Sequence, residues 1–95
     1  MNYEWDDNKL ALNLKNHQVH FASVECFNWA TASVEPDTRH NYGEPRFIAY
    51  GLIETRLYCL VFTPRGASIR IISLRKANSR EIKRYVAENP IRSLD

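Results

Sequence analysis

Nine arginines and four lysines are spread unevenly along this 95-residue chain. Arg56, Arg65, Arg70, Arg75, Lys76 and Arg80 all fall between Glu54 and Glu81, with no acid among them. Divided after Thr55, the first part carries four bases against eight acids, and the last forty residues carry nine bases against three. Guanidinium stays charged and meets a phosphate through two parallel hydrogen bonds, so an arginine-rich, acid-free stretch is a candidate phosphate surface. The alternative is a solvated basic face on a small domain. Other chemistries find little support. The sequence has no glycine-rich phosphate loop, no metal-spaced His/Cys set and no Gly-x-Ser-x-Gly turn. The acids are scattered, which argues against a two-metal nuclease, so neither a metal nor another cofactor is expected. Cys26 and Cys59 cannot form a metal cluster alone and are expected to be reduced thiols.

These side chains need a scaffold, and the chain is long enough for one domain, taken as residues 1–95. At 44% hydrophobic and 25% charged residues it has an ordinary globular composition. Its longest apolar run, Leu57 to Phe62, is strand-sized, and the first residues lack the pattern of a secretory signal, so a cytoplasmic protein without membrane contact is expected. Tyr3 to Trp5 suits a short strand. Asp6 or Asp7 then caps a helix over Asn8 to His17, with Leu10, Leu14 and His17 on its apolar face, so His17 is expected to be buried. A second short helix is placed over Ser23 to Trp29, and residues 30–45 form a loop with turns at Pro36-Asp37 and Asn41-Tyr42-Gly43. Strands follow over Arg46 to Ile53, Arg56 to Thr63 and Ser68 to Arg75. Glu54-Thr55 joins the first pair, and a type I turn over Thr63-Pro64-Arg65-Gly66 joins the second. Asn78 with Glu81 forms a near capping box for a last helix, which Pro90 ends. Its apolar face holds Ile82, Tyr85, Val86 and Asn89, opposite Arg80, Lys83 and Arg84. The fold class is α+β: a small antiparallel sheet of three to four strands, two N-terminal helices and one C-terminal helix, with Trp5, Phe21, Phe27 and Trp29 in the core.

Tyr3-Glu4-Trp5-Asp6 with Lys9 and Asn13, then Asn16-His17-x-Val19-x-Phe21, resembles the opening of the BrnT family of ribonuclease toxins. Gly43-Glu44-x-Arg46-Phe47-Ile48-Ala49-x-Gly51 resembles its middle. The strongest likeness is Ile69-Arg70-Ile71-Ile72-Ser73-x-Arg75-Lys76-Ala77, followed by Arg80-Glu81 and Tyr85. The resemblance implies a RelE-like fold and a toxin of a type II toxin–antitoxin pair that cuts RNA without a metal and arrests translation. It also implies a BrnA-like antitoxin as partner, with promoter DNA engaged only indirectly through that antitoxin. The family has Gly where this chain has Gln18, which leaves the end of the first helix open.

RNA cleaves itself when a 2′-hydroxyl attacks the adjacent phosphate, and a protein speeds this by binding the phosphate and stabilising its extra charge. Arg75, at the end of the third strand of that trio, is the first candidate for the phosphate clamp; the alternative is an ion pair with Glu81 or Glu44. Arg46, at the start of the first, is the second. Arg70 lies an odd five residues before Arg75, which on a regular strand puts the two on opposite faces unless a bulge or a strand end intervenes. Glu44 is a candidate base, although an arginine neighbour favours ordinary ion pairing. Lys9, Arg65, Lys76, Arg80 and Arg84 are candidate substrate contacts. His40 is free to reach a substrate, and His20 has little to recommend it. Two functions follow from the same arginines: an endoribonuclease toxin, or a non-catalytic basic module that holds RNA or an acidic protein.

Overall fold

The computed structural model describes residues 1–89, so the stop assigned to Pro90 lies outside the described residues. The strands are β1 (Asn2–Trp5), β2 (Ser33–Pro36), β3 (Phe47–Ile53), β4 (Arg56–Arg65) and β5 (Ser68–Lys76), and the α-helices are α1 (Asp7–His17) and α2 (Ser79–Glu88). The strands make one sheet in the order β1-β5-β4-β3-β2. β2 to β5 are antiparallel to their neighbours, and β1 runs parallel to β5. The α+β class holds, but the sheet is mixed and five-stranded, where three to four antiparallel strands were expected. Ser33–Pro36, expected as loop, pairs with Phe47–Tyr50.

Phe21, Val24 and Phe27 are all buried and recur every third residue. That period fits a 3₁₀-helix better than an α-helix. The segment expected as a second α-helix is accordingly two 3₁₀ pieces, Phe21–Cys26 and Trp29–Thr31. His20 has a structural task after all: its Nδ1 accepts from the Ala22 N–H at 3.0 Å. The Phe27 ring lies on Gly51, where a Cβ would come within 2.5 Å of a ring carbon, so β3 needs glycine there. The β4–β5 turn falls later than expected, at Gly66-Ala67, because Gly66 supplies the positive φ of 58° and the strand continues through Pro64 and Arg65. Glu54 takes the same left-handed role in the β3–β4 turn, at φ 56°.

α1 begins at Asp6, whose carboxylate accepts from the Lys9 N–H, and ends at Gln18 in the left-handed region, φ 57° and ψ 31°. The Gln18 N–H reaches the Leu14 carbonyl at 3.0 Å, and its side-chain Nε2 donates to the Lys15 carbonyl. The helix therefore closes as a glycine would close it. Its inward residues are Asn13, which is buried, and Leu10, which packs against the main core as expected; Leu14 and His17 of the expected stripe are exposed. β1 pairs with β5 only as far as Ile71, which leaves the next stretch of edge open. Asn13 fills it. Its Nδ2 donates to the Leu74 and Val19 carbonyls at 2.8 and 2.9 Å, and its Oδ1 accepts from the Leu74 N–H at 3.2 Å. Buried backbone groups must find partners, and here a side-chain amide stands in for one more strand residue.

The sheet has two unlike faces. One carries the main core: Phe21, Val24, Phe27, Ala49, Leu60, Phe62, Ile71 and Leu74, with Trp5 and Trp29 packed against it. The other holds a smaller cluster of Ile48, Tyr50, Leu57, Cys59, Val61, Ala77 and Tyr85, partly roofed by α2 through Ile82. The rest of that second face is open.

Candidate active site

Register places the arginines on the open face. Residues opposite each other in an antiparallel pair share a face, so Tyr50, Cys59 and Arg75 form one row across β3, β4 and β5. Ile48, Val61 and Ser73 form the next. A β-bulge then intervenes: Val61 pairs with Ser73 but Phe62 pairs with Ile71, so Ile72 is an extra residue on β5. It reverses the alternation, and Arg70, opposite Thr63, comes to the same face as Arg75. The opposite-face expectation for that pair is corrected by this bulge.

Arg46 and Arg75 both line a cleft of about 420 Å³ on this face, together with Arg39, Glu35, Asp37, Tyr50, Cys59 and Ser73. Each guanidinium is held by a carboxylate. Arg75 meets Glu81 through two bonds, Nη1 to Oε1 at 2.8 Å and Nη2 to Oε2 at 2.9 Å. Glu81 also accepts from the Asn78 N–H, completing the capping box of α2, and from the Tyr50 hydroxyl at 3.3 Å. The Arg75 guanidinium holds the Glu81 carboxyl down at about 2, against the cost of its burial; Arg75 itself is pushed above its ordinary range. Arg39 grips Asp37 through Nε and Nη2 at 2.8 and 2.7 Å, and the Asp37 side chain is fully buried. Those bonds hold its carboxyl far below the usual range. Asp37 also accepts from the Arg39 N–H and the Tyr42 hydroxyl, so the loop from 37 to 46 is folded around one carboxylate. Arg46 lies 3.9 Å over the Tyr42 ring, and its Nε reaches Glu44 at 3.4 Å.

The pairing leaves donors over. Arg75 still has Nε, Arg46 its two Nη groups and Arg39 its Nη1, none of them bonded to a carboxylate among the described residues. A guanidinium fixed at one edge and open at another is a preorganised anion donor. Burial pushes the Tyr50 hydroxyl up from 10.0, so it stays protonated, and Arg84 lies 4.8 Å from its ring.

The remaining sequence candidates are dispersed. Arg70 sits off the cleft, 3.4 Å from Glu4. Glu44 bridges Arg46 and Arg65 from outside it. Lys76 pairs with Tyr58, whose side chain packs on the main core, so it belongs to the opposite face. Arg80 is exposed at the start of α2, and Arg84 reaches the rim, 4.0 Å from Glu35. Lys9 and His17 line a separate shallow groove. His40 stacks edge-on with Tyr42. Tyr50, Arg39, Asp37 and Ser73 were missed as site residues. Alternation from Arg46 through Ile48 to Tyr50 was the available signal for the first, and from Arg75 back to Ser73 for the last; no local pattern marked Arg39 or Asp37.

Among the described residues no three His, Cys, Asp or Glu side chains gather as a metal site. No helix there is long and apolar enough to cross a membrane. An α+β sheet with a guanidinium-lined cleft is the kind of protein that handles phosphate esters, and the family comparison agrees. The family of ribonuclease toxins, BrnT, of type II toxin–antitoxin systems matches residues 5–81, a span that includes Arg39, Arg46, Arg75 and Glu81. The chain belongs to that family. No curated protein matches it.

Proposed function

We propose that this toxin is a metal-independent endoribonuclease whose reaction takes place in the arginine cleft, and that a BrnA-like antitoxin silences it by covering that cleft and the basic side of α2. On this reading residues 1–95 are one toxin domain, the sheet is a RelE-like scaffold, and the protein acts in the cytoplasm. The observation that carries the reading is that Arg46, just before β3, and Arg75, near the end of β5, line one cleft. The free N–H groups of Arg46, Arg75 and Arg39 bind the non-bridging oxygens of the scissile phosphate. They hold it while the neighbouring 2′-oxygen attacks phosphorus and the 5′-oxygen leaves. Negative charge grows on the phosphoryl oxygens in that step, so fixed cations nearby lower its barrier. The proton of the attacking 2′-hydroxyl passes to solvent water, and Tyr50, kept protonated, turns its O–H from Glu81 to the departing 5′-oxygen and regains a proton from water. Glu81, ionised above pH 2, is too weak a base to take the proton; it anchors Arg75.

The rival, a non-catalytic basic module, draws support from the Arg75–Glu81 fork, because every cleft arginine is already paired. Cleavage separates the two. Purified protein incubated with single-stranded RNA and excess EDTA is expected to leave cyclic phosphate ends. Arg46→Ala and Arg75→Lys are expected to lower the rate by about 10²–10³, the usual effect of removing one such donor. Arg75→Lys keeps a charge beside Glu81, so folding is preserved while the fork is lost. Folded protein that binds RNA but leaves it whole, or that cuts only when a metal is added, overturns the proposal.

A further inference from the structure

β5 shows Ile72 and Ser73 to two depressions at once. One is the arginine cleft; the other is a groove of about 170 Å³ between α1 and β5, lined also by Lys9, Leu12, Asn16 and His17. The bulge at Ile72 makes them meet, because it turns two successive residues of β5 toward the open face. We propose that this groove is the subsite for the next nucleotide beyond the two joined by the scissile phosphate, so that the RNA leaves the cleft across Ser73; this rests on the ribonuclease reading above. The directions out of the cleft are not equivalent. Glu35 and Asp37 line its β2 side, and on another side α2 brings Glu81 against Tyr50 of β3. The carboxylates on those sides offset the arginines beside them, so neither side draws an RNA backbone outward. The groove beyond Ser73 has a lysine and no acid in its lining. It also has the right composition for a nucleotide. Leu12, 59% exposed, and the half-buried Ile72 give an apolar bed for the flat face of a base. Lys9, Asn16 and His17 supply polar groups for the phosphate and the base edge. Asn13, spent on Val19 and Leu74, makes a fixed wall.

Length dependence tests this. Binding of 2′-O-methyl RNA, which cannot be cut by 2′-oxygen attack, is measured by fluorescence anisotropy for a dinucleotide and a tetranucleotide. The dinucleotide fills the cleft alone, while the tetranucleotide also reaches the groove. Asn16 and His17 are exposed, so the double variant Asn16→Ala/His17→Ala keeps its fold. It is expected to bind the tetranucleotide about tenfold more weakly, the loss of one or two hydrogen bonds, with under a twofold change for the dinucleotide. An equal loss at both lengths, or none at the longer one, overturns the subsite. Wild-type protein that binds RNA of neither length overturns the ribonuclease reading itself, and the subsite with it.

Discussion

At the scale of single residues, two side chains do more than their types suggest. Asn13 reads in the sequence as one polar residue in a helix, yet it makes three hydrogen bonds and closes the open edge of β5. Asn13→Ala leaves the Leu74 N–H and two carbonyls without these partners in a buried place. It is expected to cost about 2–4 kcal/mol, read as a drop in the urea midpoint at unchanged slope; a loss below 1 kcal/mol means water replaces the amide. Glu81 is the second. It caps α2 and orients Arg75 with the same carboxylate. Folded, this group titrates at about 2, against an ordinary 4.5. The unfolded chain therefore takes up its proton first as pH falls. The stability it contributes is complete above about pH 4.5 and drains away toward pH 2. The stability gap between wild type and Glu81→Gln is accordingly expected to be wide at pH 7 and to narrow between pH 4.5 and pH 2. Asp37 titrates low in both proteins and cancels in that comparison. A gap that stays constant from pH 7 to pH 2 contradicts the assignment.

At the scale of elements, the sequence was legible where local chemistry decides and opaque where distant pairing does. β1, the three central strands, the first helix and the capping box of α2 follow from alternation, helical period and cap residues, and all are present. Ser33–Pro36 reads as loop because the turn residues Pro36-Asp37 and Asn41-Tyr42-Gly43 lie in its segment; it is a strand because β3 offers it an edge. Likewise nothing local to Ile72 marks a bulge, since that arises from two registers meeting on β4. The candidate site divides the same way. Arg46 and Arg75 were accessible as strand-end cations, whereas Arg39 and Asp37 enter through the fold of a loop. α1 shows how a helix end tolerates a substitution: Gln18 takes the left-handed conformation that favours glycine and offsets the strain with a side-chain bond to Lys15. Gln18→Gly is expected to stabilise the protein by about 0.5–1 kcal/mol, seen as a Tm higher by a few degrees. A lower Tm means the Nε2 bond outweighs the strain.

At the scale of the whole molecule, the charge imbalance of the sequence does not carry into the cleft. Its lining sets Glu35, Asp37 and Glu81 against Arg39, Arg46 and Arg75, so it is close to balanced although the last forty residues are strongly basic. A large positive field is therefore not what attracts RNA here. Binding depends on a few fixed guanidinium donors, and the salt dependence reflects that. Each phosphate neutralised on a single strand contributes about 0.7 to the slope of log K against log salt. Two or three contacts give a slope of roughly −1.4 to −2.1, or about a tenfold loss of affinity between 50 and 200 mM salt. Arg46→Ala is expected to flatten the slope by about 0.7, because it removes one of those contacts. Lys76→Ala, on the other face, leaves it unaltered. A slope several times steeper, equally sensitive to both changes, requires RNA to spread over the general basic surface, and the cleft then loses its claim to be where the substrate is held.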